Sequence, residues 1–353
     1  MKNERIAWLD LARFLAIALA LLCHATENVY FLEIEYMSSL NPLVALFGFI
    51  SFTIGRIGVP IFLMITGYLL LGREYDAQQT RDFYIKRFMH LLICTWIWFA
   101  VYDLFLTVGN YETMSLRDVV MDMLFLKSVP MISVWYLPVI IGLYLLIPFV
   151  SNGIRNAPLQ NFTLPLVFFG ILCFGVPLVK TVNNALKLEL PIYPMLSEGF
   201  SGGVYGLYIV LGYLIKKGLL KKIKTGIVSL LCVLSFAAAV AFWVWCYCHN
   251  YGWNMWYDCV FLAFASVFLF ELISRIRKVP FEKACRFLSR YSFAVFIVHI
   301  IILILIGPFI NMLSLLIPAK VVLLEISLLV LSYLLAYLIS LIPKAGKYIL
   351  YLK

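Results

Sequence analysis

Long apolar runs alternate with short polar connections along this chain, and each run has the length of a membrane crossing. Runs near 20 residues, the length a helix needs to span the hydrocarbon core, fall at roughly 6–25, 48–71, 88–108, 133–151, 163–179, 202–215, 226–247, 257–274, 291–311 and 321–342. The sixth is short, and the second is irregular, with Gly58 and Pro60 in its middle. Backbone in lipid must satisfy its own N–H and C=O groups, which leaves helices or closed barrels. Runs of this length belong to helices. The pattern predicts an all-α polytopic membrane protein of about ten transmembrane helices, a single domain over residues 1–353. The longest outside connection, about residues 26–47, is too short to build a core of its own.

Composition strengthens this. The 353 residues are 64% hydrophobic and only 13% charged, whereas a soluble chain is nearer half apolar and a quarter charged. The net charge of +10 gains meaning from its placement, because Lys and Arg hold loops to the cytoplasmic side. Of the 28 Lys and Arg, the connections facing outward hold Arg117, Lys127, Lys180, Lys187 and Lys320, and Arg13 and Arg56 lie within or beside spans. The other 21 fall on the opposite side, from Lys2 and Arg5 to Lys353. A wrong span count would scramble that split, so ten crossings with both termini cytoplasmic are expected. The basic excess reads as orientation, and no nucleic-acid partner is expected. The eight Cys are scattered through apolar stretches apart from Cys246 and Cys248, giving no disulfide framework. With His249 that pair lacks a closed ligand set, and no metal is expected.

The opening, Lys2 and Arg5 followed by the run from Phe14 to Cys23, has the outline of a secretory signal. Cleavage would require Asp10 and Arg13 to sit in its polar head, and the segment is read as the first span. Three ionisable groups therefore enter the membrane on one helix: Asp10, Arg13 and His24. Eleven helical steps bring His24 within about 20° of Arg13, and Asp10 lies about 40° to the other side. The three share a face, with about 16 Å between Arg13 and His24 along the axis. Such groups cost roughly 2.5–3.5 kcal/mol each at mid-membrane and mark polar pathways. The plainer reading pairs Asp10 with Arg13 locally and lets His24 snorkel to the outer surface.

The stretch from Arg5 to Arg13, followed by His24, resembles the first-helix signature of the acyltransferase 3 family of integral-membrane acyltransferases. Arg56 to Tyr68 resembles its second-helix motif; Trp135-Tyr136-Leu137 with Gly142-Leu143-Tyr144 and Pro148 resembles its fourth span. Gly212-Tyr213 stands in the usual sixth-span position, and Ser289 to Phe293 with His299 resembles the ninth span. Ser133 departs from the His many members carry two places before the Trp, and Thr66 stands where Ser is common. The closest likeness is to short stand-alone members that acetylate surface polysaccharides or their lipid-linked precursors.

The resemblance implies a helix bundle around a central polar cavity in the cell membrane. Acetyl-CoA or another acyl-CoA would be the cytoplasmic co-substrate, and a hydroxyl of a surface glycan or lipid-linked sugar the acceptor. His24 is then the expected catalytic residue, as a base or as a transient carrier of the acyl group. Arg13 would hold a CoA phosphate and Asp10 would fix Arg13. Arg56, beside the break at Gly58 and Pro60, would steady oxyanion charge or acceptor oxygens. Trp135, Tyr136 and His299 complete the expected substrate site. Lys86, Arg87, Arg275 and Arg277, with Lys216 and Lys217, are candidates for the anionic end of CoA, although orientation and contact with anionic membrane lipids explain them equally. Tyr251, Trp253, Trp256 and Tyr257 suit either a sugar or the membrane interface. The alternative functions are a transporter or flippase, or a substrate-binding membrane module.

Overall fold

Where the chain caps its apolar runs, helices begin. Asn41 accepts a hydrogen bond from the Leu43 amide at 3.0 Å, and Pro42 takes the first helical position, where its missing N–H costs nothing. Asp76 and Gln79 close a reciprocal capping box before the third long helix. The computed structural model describes residues 6–109, 115–126, 135–192 and 203–352, the side chains of Ala345 and Lys347 excepted. Lys2, Arg5, Lys127, Ser133 and Lys353 lie outside these residues, as do the first positions of the fourth and sixth expected spans.

The described chain is 79% helical, with no strand among those residues. Each of the ten apolar runs is helix: α1 Ala7–Tyr30, α2 Pro42–Leu70, α3 Ala77–Val108, α4 Tyr136–Ile154, α5 Leu159–Ala185, α6 Gly203–Lys216, α7 Thr225–Cys248, α8 Val260–Ser274, α9 Glu282–Met312 and α10 Ile317–Ser340. Eight of these are long and apolar enough to cross a membrane; α6, with 14 residues, and α8, with 15, are shorter. The boundaries depart from the hydropathy pattern at α1 and α2. Polar residues such as Glu27 and Asn28 do not end α1, because Glu27 has partners inside the bundle, so the helix runs on to Tyr30. The connection between α1 and α2 shrinks to residues 31–41 and carries a short helix, Ile34–Ser39.

Helix α1 is the hub, packed against α2, α9 and α10. Its Ala12, Ala16 and Ala25 are fully buried, and small residues are what let helices approach closely in a membrane. The approach to α2 is so tight that a Cβ on Gly55 would lie 2.5 Å from the Cys23 amide nitrogen, and one on Gly58 2.5 Å from the Ala16 carbonyl oxygen. Between these glycines the regular helix of α2 is interrupted at Ile57, where Pro60 has no N–H to offer the Arg56 carbonyl. A second close pair joins α2 to α6. A Cβ on Gly67 would fall 1.7 Å from the Ile209 carbonyl oxygen, and one on Gly212 2.0 Å from that of Met64. By contrast α5, α7 and α10 leave most of their apolar surface unburied, the side available to lipid.

After α10 the chain folds back. The Ile349 carbonyl accepts from the Trp98 indole at 2.6 Å and the Cys94 thiol at 3.1 Å, and Leu350 is fully buried. The Tyr351 hydroxyl donates to the Arg87 carbonyl at 3.3 Å. This segment closes on the end of α3 that carries Arg87.

Candidate active site

His24 sits one turn before Glu27 on α1, and the helix turns their side chains together. The His24 Nδ1 lies 2.8 Å from Glu27 Oε2. A carboxylate only accepts, which places a proton on Nδ1; in the neutral ring Nε2 then carries the lone pair. The other carboxylate oxygen, Oε1, accepts from Arg56 Nη2 at 3.2 Å, and Arg56 Nη1 donates to the Tyr257 hydroxyl at 3.3 Å. Arg56 is 3% exposed, with its guanidinium 4.5 Å from the Phe52 ring centre and 4.6 Å from that of Trp256. It is not a snorkelling surface residue. An unpaired cation at this depth would be strongly unfavourable, and Glu27 and the ring faces offset that. The Arg56 Nε has no hydrogen-bond partner among the described residues.

His299, on α9, meets His24 with ring centres 5.2 Å apart. It is fully buried, and its Nδ1 is 2.5 Å from the Phe296 carbonyl, which places the proton there. Its Nε2 has no partner among the described residues. A small cavity of about 10 Å³, room for about one water, is lined by His24, Arg56, Trp135, Tyr136, Tyr257 and Phe296, with Ala20, Cys23, Gly55 and Val59. Beside it Trp135 packs against Tyr205, Trp256 and Tyr257, with ring centres 5.2–5.4 Å away. The Trp256 indole donates to the Tyr205 hydroxyl at 2.9 Å.

A second polar cluster occupies the N-terminal part of α1. Asp10, 2% exposed, accepts from Arg13 at 3.2 Å and from Ser289 of α9 at 2.8 Å. Asp10 thus ties Arg13 and α9 to one point. Arg13 opens on a cavity of about 190 Å³ that Arg87, Thr66, Tyr144, Ser292 and Tyr351 also line. Arg87 comes from a widened turn, Tyr84–Phe88, inside α3. Such turns recur at functional sites because they re-aim side chains.

All of Asp10, Arg13, His24, Arg56, Trp135, Tyr136 and His299 fall in these two clusters, whose cavities share Tyr136 as a lining residue. Of the six basic loop residues expected to meet the anionic end of a donor, Arg87 is the one that lines this cavity beside Arg13. Lys86 pairs with Asp82 at 2.9 Å on the exposed surface. Arg275 is occupied elsewhere, bonding Glu271 at 2.7 Å and the Ile223 and Leu220 carbonyls at 2.8 and 2.7 Å. Arg277 is exposed beyond the end of α8. Lys216 and Lys217 donate to the Leu71 and Ala157 carbonyls. For Arg275, Lys216 and Lys217 the reason is geometric: they satisfy carbonyls at or beyond helix ends close to them in space, a pairing that cation spacing in sequence does not display.

Glu27 is the residue the sequence reading overlooked. The signal was present, since a carboxylate three residues after a membrane histidine shares its helix face. Tyr257 was read as either sugar-facing or interfacial, and the fold instead buries it against Arg56 across 201 positions of sequence.

Comparison with curated proteins and with solved structures returns no match. The family model described as an acyltransferase domain matches residues 6–342, nearly the whole chain and both clusters. The sequence motifs and this match agree, and the protein, a multi-pass membrane acyltransferase, belongs to the acyltransferase 3 family.

Proposed function

We propose that the protein moves an acetyl or other acyl group from cytoplasmic acyl-CoA to a hydroxyl of a surface glycan or its lipid-linked precursor, across the cell membrane. One arrangement carries the reading. An imidazole oriented by a carboxylate lines the same cavity as a buried guanidinium, and a single ring, Tyr136, also lines a second cavity that holds Arg13 and Arg87. The donor set of that second cavity suits acyl-CoA: guanidiniums match phosphate, and the hydroxyls of Thr66, Tyr144 and Ser292 match the amides of a pantetheine arm. The aromatic cluster of Trp135, Tyr205 and Trp256 at the other cavity suits the face of a sugar.

In this reading the acceptor oxygen bonds to the thioester carbonyl carbon while its proton passes to His24 Nε2. Glu27 holds the ring in the tautomer that leaves Nε2 basic and stabilises the imidazolium that forms. The carbonyl electron pair moves to oxygen, where Arg56, with Nε–H still free to donate, stabilises the charge. Collapse breaks the C–S bond, and the proton on Nε2 goes to the departing thiolate. His299 keeps the His24 ring against α9.

The test uses inverted membrane vesicles with labelled acetyl-CoA and follows label into lipid-linked and surface glycan. Wild type transfers label, and His24→Ala, inserted to the same level, loses transfer. Label unaffected by His24→Ala, or uptake of an intact solute without CoA release, would remove the proposal.

A further inference from the structure

The two cavities share a lining residue and are separated by very little. The cavity holding Arg13 and Arg87 reaches Phe62 on α2 and Phe293 on α9; the cavity holding His24 begins at Val59 and Phe296. On both helices the step is three residues, about 4.5 Å of axial rise. The wall is thus about one side chain thick. Among the described residues Tyr136 alone lines both cavities.

Aromatic contacts hold that ring in place. Tyr136 is 7% exposed and meets Phe296 edge to face, with 5.2 Å between centres and 69° between planes. Phe296 is itself braced by Phe293 at 6.3 Å and by His299 at 5.7 Å. Contacts of this kind are dispersive, so a ring can change rotamer without breaking a charged bond.

A donor arriving past Arg87 and Arg13 presents its acyl tail first. For the thioester carbon to reach His24, that tail must lodge beyond the wall, in a space walled by Trp135, Tyr136, Tyr257 and Phe296 that holds about one water. We infer that Tyr136, backed by Phe296, is the size filter for the acyl group: displacement of its ring admits an acetyl-sized group and leaves no room for a longer chain. This rests on the acyl-transfer reading above.

The experiment gives inverted vesicles carrying the native acceptor either labelled acetyl-CoA or labelled hexanoyl-CoA, and compares the two rates within each preparation. The ratio cancels differences in the amount of folded protein. Wild type favours acetyl by at least about tenfold, the scale on which a tight apolar pocket discriminates by methylenes. Tyr136→Ala and Phe296→Ala each move the ratio toward hexanoyl by about tenfold or more, and Tyr136→Phe, which keeps the ring, retains the wild-type ratio. Equal rates for both donors in wild type overturn the filter. So do ratios unchanged by both truncations, or complete loss of transfer in both while Tyr136→Phe is active, and each of these leaves acyl transfer standing. No label from either donor in wild type overturns the acyl-transfer reading itself, and the filter falls with it.

Discussion

At the scale of single residues, the site depends on Glu27 serving two partners at once. One oxygen fixes the His24 tautomer and the other neutralises Arg56. Glu27→Gln removes the charge while keeping the shape, and the amide no longer compels Nδ1 to carry the proton. Initial rates in proteoliposomes should fall roughly 10²- to 10⁴-fold in kcat, the range general-base catalysis contributes, with donor KM little changed. A rate within twofold of wild type would deny Glu27 its orienting part. Arg56→Lys keeps the charge but loses the planar fork that reaches Glu27 and Tyr257 from between Phe52 and Trp256. Transfer should drop on the order of 10²-fold, the scale of a lost oxyanion donor. Full activity in the Lys variant would show that charge alone suffices there. The carboxylate, guanidinium and imidazole of α1 were legible from helical arithmetic on the sequence. Tyr257 was not, because nothing in its own neighbourhood announces a partner 201 positions away.

At the scale of elements, glycine decides how near the helices stand, and hence whether side chains reach each other. Gly55 and Gly58 let α2 lie against α1, which brings Arg56 to Glu27. The Gly67 and Gly212 contacts do the same for α2 and α6, with backbone rather than flexible side chains as the obstacle. Gly67→Ala or Gly212→Ala should therefore cost about 1–3 kcal/mol of overpacking and lower the detergent-solubilised melting temperature. Gly142→Ala, on α4 with nothing within 4 Å of the added carbon, should hold or raise it. A melting temperature unchanged in Gly67→Ala would mean the helices can part without loss. The interruption at Ile57 was foreshadowed by Gly58 and Pro60. The widened turn at Tyr84–Phe88 that aims Arg87 inward had no such marker, since Tyr-Ile-Lys-Arg-Phe contains neither glycine nor proline.

For the whole molecule, the expected orientation places the α8–α9 connection inside and the α9–α10 connection outside. In a cysteine-free background, Leu316→Cys, at a position 79% exposed, should react with an impermeant maleimide on intact cells. Lys278→Cys, also exposed, should react only after permeabilisation, and the reverse pattern would invert the topology. The sequence by itself determined that the chain lives in a membrane, roughly where the ten long apolar helices of the described residues lie, and which polar groups must enter the bilayer. Those are local consequences of hydrophobic run length and of a fixed helical period, and they need no partner. Only the tertiary structure decided that Arg87 reaches the cavity beside Arg13 while Arg275 gives its donors to nearby carbonyls, and that Tyr136 stands between two cavities. Those outcomes depend on which helix faces meet, set by packing contacts between residues far apart in the chain, and such contacts leave no periodic trace in the sequence that makes them.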